Sequence, residues 1–212
     1  QRQLEAILVG CRVTRVRGLA LLVVGMLLAG TVRLPAVASV LPCRASDESR
    51  IRRLRRWLAN DQVVVSDLWR PIRRVLVRDL RGRDLTLVFD PTPQAGHATI
   101  LVLGMLQHKR VLPLAWRVVP QQDQWDQRMA YLLGEMAVEV AADLPADGHV
   151  TVLADRGITG PETIRVLRAV GWHIVFRVNV GPNQSNRVRV DGIDYGLWDW
   201  LTAQAFTWSG PV

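Results

Sequence analysis

The sequence predicts an α/β fold: a mixed sheet with flanking helices that opens as an antiparallel meander, preceded by a small all-α basic domain. Three observations predict it. Beyond residue 84, apolar runs of strand length interleave with helical periodicity in the order strand, strand, strand, helix, strand, helix, strand. Ahead of that point the segments read as helices. Charge divides at the same place, with 17 arginines against 7 acids in residues 1–89, and nine arginines plus Lys109 against 12 acids in residues 90–212. Such a basic front points to a polyanion-binding module joined to something chemically different. A chain of 212 residues, 49% apolar, is long enough for one substantial core with an appended domain, and wholesale disorder is excluded. Two cysteines and four scattered histidines argue against a disulfide scaffold or a zinc enzyme.

Taking the elements in order, the most apolar stretch is Gly18 to Val32, bounded by Arg17 and Arg33. At 15 residues it is short for a membrane span. Arg12, Arg15 and Arg17 ahead of it and Ala36-Val37-Ala38 behind it give it the outline of a secretory leader. A buried helix in a small helical domain is the preferred reading. A short helix follows over Leu34 to Pro42. Ser46 to Ser49 then offers N-caps and acids ahead of SRIRRLRRWLAN. There Ile51, Leu54, Trp57 and Leu58 form an apolar stripe, and Arg50, Arg52, Arg53, Arg55 and Arg56 cover the other faces. A further helix over Val64 to Leu80 adds Arg70, Arg73, Arg74 and Arg78. These make up a basic helical region, 1–83, expected to bind a phosphate-bearing polyanion through Arg50, Arg52, Arg53, Arg55, Arg56, Arg73 and Arg74, because the guanidinium fork grips phosphate oxygens in pairs.

The texture changes at residue 84. LTLVFD reads as a strand ending at Asp90 and broken by Pro91 and Pro93. Residues His97 to Val119 read as two strands with a turn near Gln107 to Arg110. A helix is expected from Asp123, stopping at the turn cluster that begins with Pro145. VTVLAD is a second strand ending in an acid, Asp155, and Pro161 opens the next helix at a position where its missing N–H costs nothing. WHIVFRVNV, Trp172 to Val180, is the last strand of this core, 84–180. Residues 181–212 read as β-like and turn-rich.

The candidate chemistry lies at Asp90 and Asp155. Ligands of open α/β sheets sit outside the carboxyl ends of strands. Two carboxylates projecting there repel one another unless a cation lies between them, and oxygen-only ligation suits Mg²⁺ or Mn²⁺. Arg156, beside Asp155, is a candidate phosphate contact, and Thr92 a candidate helper at the first strand end. Trp125, Trp198, Trp200 and Trp208 are expected in packing rather than base stacking. No role is assigned to His97, His108, His149 or His173, which show no clustering along the chain.

LTLVFDPTP around Asp90, the PLAWRVVP segment, and VTVLADRGITGPETIRVLRAVGWHIVFRVN around Asp155 resemble the bacterial insertion-sequence transposases of the Asp–Asp–Glu type. The basic helical front with its LPAVASVLP stretch is also similar to their DNA-binding regions. The resemblance implies a ribonuclease-H-like catalytic core, Asp90 and Asp155 as catalytic and metal-holding residues, Mg²⁺ or Mn²⁺, and double-stranded DNA (terminal repeats and target) as partner. It further implies a homodimer in a DNA synapse, and a place in the bacterial cytoplasm with no membrane contact. One departure is plain. The family's glutamate lies in a Tyr…Arg…Glu…Lys signature, whereas the one glutamate after Asp155 is Glu162, placed to stabilise a helix start. Asp191, Asp194 and Asp199 have no spacing that recommends them as substitutes. Residues 181–212 correspond to the start of the β-rich insertion that precedes the glutamate in such relatives, so the triad is expected to be incomplete and catalysis weak. The alternative reading is a DNA-binding regulator without catalysis.

Overall fold

The computed structural model describes residues 2–94, 96–120, 125–158, 160–177, 187–190 and 192–196. It contains two compact units, Gln1–Arg81 with Asp143–Pro145, and Gly82–Ala142 with Ala146–Val212.

The first unit is helical: α1 (Arg2–Ile7), α2 (Val13–Ala29), α3 (Leu34–Ser39), α4 (Asp47–Leu58) and α5 (Val65–Val77). The apolar run forms α2, closed by Gly30 in the left-handed conformation at φ 61°. Among the described residues no helix is long and apolar enough to cross a membrane. Two glycines of α2 decide its packing. A Cβ at Gly18 would run into the Trp57 indole, and one at Gly25 into Val37 and Leu41. Being seven residues apart they share one helix face, which lets α3 and α4 approach closely. The Trp57 indole N–H then donates to the Arg15 carbonyl at 3.2 Å. Val37, Ala38, Leu41 and Leu54 form one buried cluster, and Leu8, Val16 and Leu68 another.

Helix α4 starts where its caps dictate. The Ser46 hydroxyl accepts from the Ser49 N–H, with Asp47 and Glu48 in the first turn and Arg55 and Arg56 in the last. Of its expected apolar stripe, Leu54 is buried and Ile51 and Trp57 are half-buried. Leu58 departs from it: this last residue of the helix is 51% exposed. In α5, Pro71 has no N–H to offer the Asp67 carbonyl four residues back. The Cys11 thiol donates to that carbonyl instead, at 3.8 Å.

The second unit is a five-stranded mixed sheet with flanking helices. Its strands are β1 (Leu85–Gln94), β2 (Ala98–Gln107), β3 (Arg110–Pro120), β4 (Val150–Ala154) and β5 (His173–Phe176), in the spatial order β3-β2-β1-β4-β5. β1 runs antiparallel to β2, as β2 does to β3, while β4 lies parallel to β1 and β5 to β4. The β2–β3 turn is two residues, His108 at φ 47° and Lys109 at φ 67°, the sign pattern that matches the twist of a hairpin. Helix α6 (Met129–Ala141) follows a short 3₁₀ turn, Trp125–Arg128, and packs on β2, β3 and α7 (Pro161–Ala169). One face of β1, β2 and β4 supplies Leu87, Phe89, Leu101, Leu103 and Val152 to the core, and α6 supplies Leu133, Met136 and Val140. Each such side chain contributes roughly 1.5–3 kcal/mol by leaving water. A separate hairpin pairs β6 (Arg187–Val190) with β7 (Ile193–Gly196).

Two strand ends differ from the sequence reading. β1 does not break at Pro91 but continues to Gln94, with Pro91, Thr92 and Pro93 opposite Leu101, Ile100 and Thr99 on β2. Its ladder with β4 stops earlier, at Phe89–Ala154. Among the described residues β1 is therefore an edge strand on that side past Phe89, where a proline sacrifices no ladder bond. β5 is shorter than expected, ending at Phe176, and residues 178–180 lie outside those described.

Candidate active site

The candidate site grows out of that mismatch in strand length. Phe89 of β1 and Ala154 of β4 form the last ladder pair, and Asp90 and Asp155 are the next residues on each strand. Side chains alternate faces along a strand, and parallel partners in register share a face. Val88 and Leu153, also partners, therefore project on the same side as the two aspartates. All four line one open cavity of about 500 Å³, together with Thr92, Val102, Val111 and Pro113. Both aspartates are exposed at its rim. The Thr92 hydroxyl, two residues on and so on the same face, donates to Asp90 Oδ2 at 3.2 Å. This bond orients the Asp90 carboxylate and leaves its other oxygen for a ligand.

A third charged residue joins the row, and the sequence reading passed over it. Arg177 directly follows β5, whose last residue, Phe176, pairs with Ala154. Its backbone N–H donates to the Ala154 carbonyl at 3.1 Å, and it lines the same cavity. Asp90, Asp155 and Arg177 thus occupy matching positions on three adjacent parallel strands. The signal was present in the chain: TLVF, TVLA and HIVF are each followed at once by a charged residue.

The donor set is consistent with a hard divalent cation. Two carboxylates at one cavity supply oxygen ligands, and Mg²⁺ is ordinarily held by one or two carboxylates with water and substrate phosphate completing its shell. Among the described residues no group of three or more His, Cys, Asp or Glu side chains is placed to hold a metal. Glu162 lies in the first turn of α7, is exposed, and pairs with Arg165. Asp194 is engaged by Arg189 at 2.8 Å in the β6–β7 hairpin. Its carboxyl is held below the usual range by the Arg189 hydrogen bond and charge, against a smaller opposing effect of burial. Asp191, Asp199, Trp198, Trp200 and Trp208 fall outside the described residues, as does the Trp125 side chain.

The arginines divide into two groups. Arg52, Arg53, Arg55 and Arg56 are exposed on α4, and Arg52, Arg55 and Arg56 line a shallow basic concavity with Ser49. Arg52 also pairs with Glu48 at 2.6 Å. Arg50 and Arg73 correct the expectation that they face DNA. Arg50 turns inward, donating to the carbonyls of Ala38, Ser39 and Cys43 at 2.7–3.2 Å, and so ties the end of α3 to α4. Arg73 is fully buried, and its Nε and Nη2 donate to Asp143 Oδ2 at 2.9 and 2.5 Å. Arg74 is half-exposed and donates its Nε to Asp143 Oδ1 at 2.7 Å. Arg156 opens a short 3₁₀ turn directly after Asp155, and its side chain lies outside the described set. One further correction concerns the histidines: His149 and His173, apart in sequence, bring their rings edge to face at 6.0 Å.

No protein-family model matches the chain, and no curated protein matches it.

Proposed function

We propose that the chain is a DNA transposase of the Asp–Asp–Glu type. On this reading the basic helical unit holds element-end DNA, and the Asp90–Asp155 notch carries metal-dependent phosphodiester hydrolysis and strand transfer. The observation that carries this reading is the emergence of Asp90 and Asp155, in register, from adjacent parallel strands into one cavity. The order β3-β2-β1-β4-β5, with β2 alone antiparallel, supports a ribonuclease-H-like identity for the sheet.

The chain's own groups have distinct tasks. Asp90 and Asp155 would hold Mg²⁺ or Mn²⁺, with Thr92 fixing the orientation of Asp90. When bound, the cation supplies Lewis acidity at the phosphate and a readily deprotonated water or hydroxyl. The Arg177 guanidinium binds non-bridging phosphate oxygens and offsets the charge that builds on them. Val88, Leu153, Val102 and Val111 give the cavity an apolar floor, which strengthens these charge interactions.

A second reading is favoured by one observation: among the described residues no third carboxylate joins Asp90 and Asp155 at the cavity. The chain would then bind element ends as a regulator of transposition without cutting them.

Incubating the protein with duplex DNA and Mg²⁺ or Mn²⁺ separates the two. Metal-dependent nicking that disappears in Asp90→Asn and Asp155→Asn supports the first reading, and nicking equal in both variants overturns it. Tight DNA binding with no nicking in either metal establishes the second.

A further inference from the structure

The first unit holds a second concave site, distinct from the exposed face of α4. It has a volume of about 410 Å³ and lies where the α1–α2 turn meets the start of α5. Cys11, Arg15, Ser66, Asp67, Arg70 and Arg74 line it.

Its arginines are held from behind by a single saturated carboxylate. The Asp143 side chain is fully buried. Its Oδ2 takes both Arg73 bonds, and its Oδ1 accepts from Arg74 Nε at 2.7 Å and Arg70 Nε at 3.4 Å. Among the described residues Arg70 and Arg74 use only Nε in this way, so the two terminal amino groups of each are uncommitted. Their side chains are 49% and 56% exposed. Arg15 spends one amino group on Gln62 Oε1, at 3.0 Å. Three guanidinium groups, those of Arg15, Arg70 and Arg74, line the concavity with one carboxylate, that of Asp67. Anchoring a guanidinium through Nε fixes its plane in advance, so an incoming anion meets an oriented fork rather than a loose side chain.

We infer that this concavity is a phosphate site, in which the forks of Arg70 and Arg74, assisted by Arg15, grip one phosphodiester of a DNA backbone. The inference rests on the DNA-binding part of the proposed function. It assigns that binding a built contact on α5, besides the exposed arginines of α4. Asp143 and Arg73 act as positioning residues.

Cys11 lines the site and provides the probe, with Cys43, packed in the other helical cluster, as internal reference. In the full chain, inorganic phosphate or duplex DNA is expected to slow alkylation of Cys11 relative to Cys43. The double variant Arg70→Gln/Arg74→Gln keeps the buried Arg73–Asp143 pair, and it should lose that protection. Its log-affinity for duplex DNA against log-salt should be shallower by about 0.9, the loss of one phosphate contact. Arg15→Gln, which touches no buried partner, should shift protection and affinity in the same direction if the double variant is poorly folded. DNA binding with an unchanged slope in the variants, and no Cys11 protection by either anion, overturns the site and leaves the DNA reading standing. Protection by inorganic phosphate with no duplex binding at any salt overturns the assignment to DNA.

Discussion

Asp155 and Arg177 stand side by side at the ends of neighbouring parallel strands, each one residue past the Ala154–Phe176 pair, and the Arg177 N–H closes onto the Ala154 carbonyl at 3.1 Å. With Asp90 on the far side of Asp155, the cavity rim carries two negative positions and then a positive one. On the proposed reading a cation would lie between the first two, and a phosphate between that cation and the arginine.

Arg177 is exposed, so its removal tests chemistry rather than folding. Arg177→Ala should lower metal-dependent cleavage by roughly 100-fold, the scale of losing one charge-stabilising donor. Arg177→Lys should restore only part of it, because an ammonium cannot bind two oxygens in a plane. Cleavage rates beside urea midpoints make the check, with the midpoints unchanged in both variants.

Asp90 and Asp155 are exposed at neighbouring strand ends, where neither carboxylate is needed for packing of the metal-free fold. Asp90→Asn and Asp155→Asn should therefore melt close to the parent's temperature without divalent ions. Mn²⁺ at 100 times its dissociation constant should stabilise the parent by about 2.7 kcal/mol and leave both variants unmoved. Thermal melts with and without Mn²⁺ read this directly, and equal shifts in all three proteins would remove the metal from the site.

Asp143 answers for the buried charge of Arg73. Burial raises its carboxyl, but the hydrogen bonds and charges of Arg74 and Arg73 outweigh that and hold it below its ordinary value of 3.8. A carboxyl lowered in the folded state adds stability in full above its unfolded value, and the contribution is lost as pH falls through the folded one. Unfolding free energy should thus decline below about pH 4. Asp143→Ala should cost about 3 kcal/mol at neutral pH by removing a carboxylate paired with the buried Arg73, and should flatten this acid limb. Urea titrations across pH test both effects.

Arg50 and Arg56, six residues apart on α4, should behave oppositely. Arg50→Ala removes charged hydrogen bonds to three carbonyls and should cost roughly 2–3 kcal/mol of stability. Arg56→Ala, at an exposed position, should leave stability within about 0.5 kcal/mol while weakening DNA binding at low salt. Paired denaturation and binding curves distinguish a helix tie from a phosphate contact.

His108 and Lys109 hold positive φ without being glycine. Replacing them with Asn-Gly, the pair best suited to this turn, should raise stability by about 1 kcal/mol and leave DNA binding unchanged.

What could be read from the chain followed locality. The LTLVFD and VTVLAD runs announce strands ending in acids, because an apolar run of that length has few other uses. Ser46 and its acids announce α4, because a cap acts within one turn. The misreadings concern properties a residue acquires from distant neighbours. Pro91 and Pro93 read as a break because nothing nearby says that β4 will end five residues into its ladder with β1. Arg73 read as a surface cation because the carboxylate that permits its burial lies 70 residues away. Arg50 read likewise because its acceptors are backbone carbonyls, which leave no mark in composition. His149 and His173 meet only because β4 and β5 are neighbours.

The prolines that disguise β1 also guard its opening. From Asp90 onward one side of this strand has no neighbour among the described residues, and such an edge invites another chain to zip onto it. Pro91 and Pro93 withhold the N–H groups an intruder would need. A variant carrying ordinary residues at both positions would offer a sticky ribbon beside the acidic pair, and self-association would then shut the notch from outside.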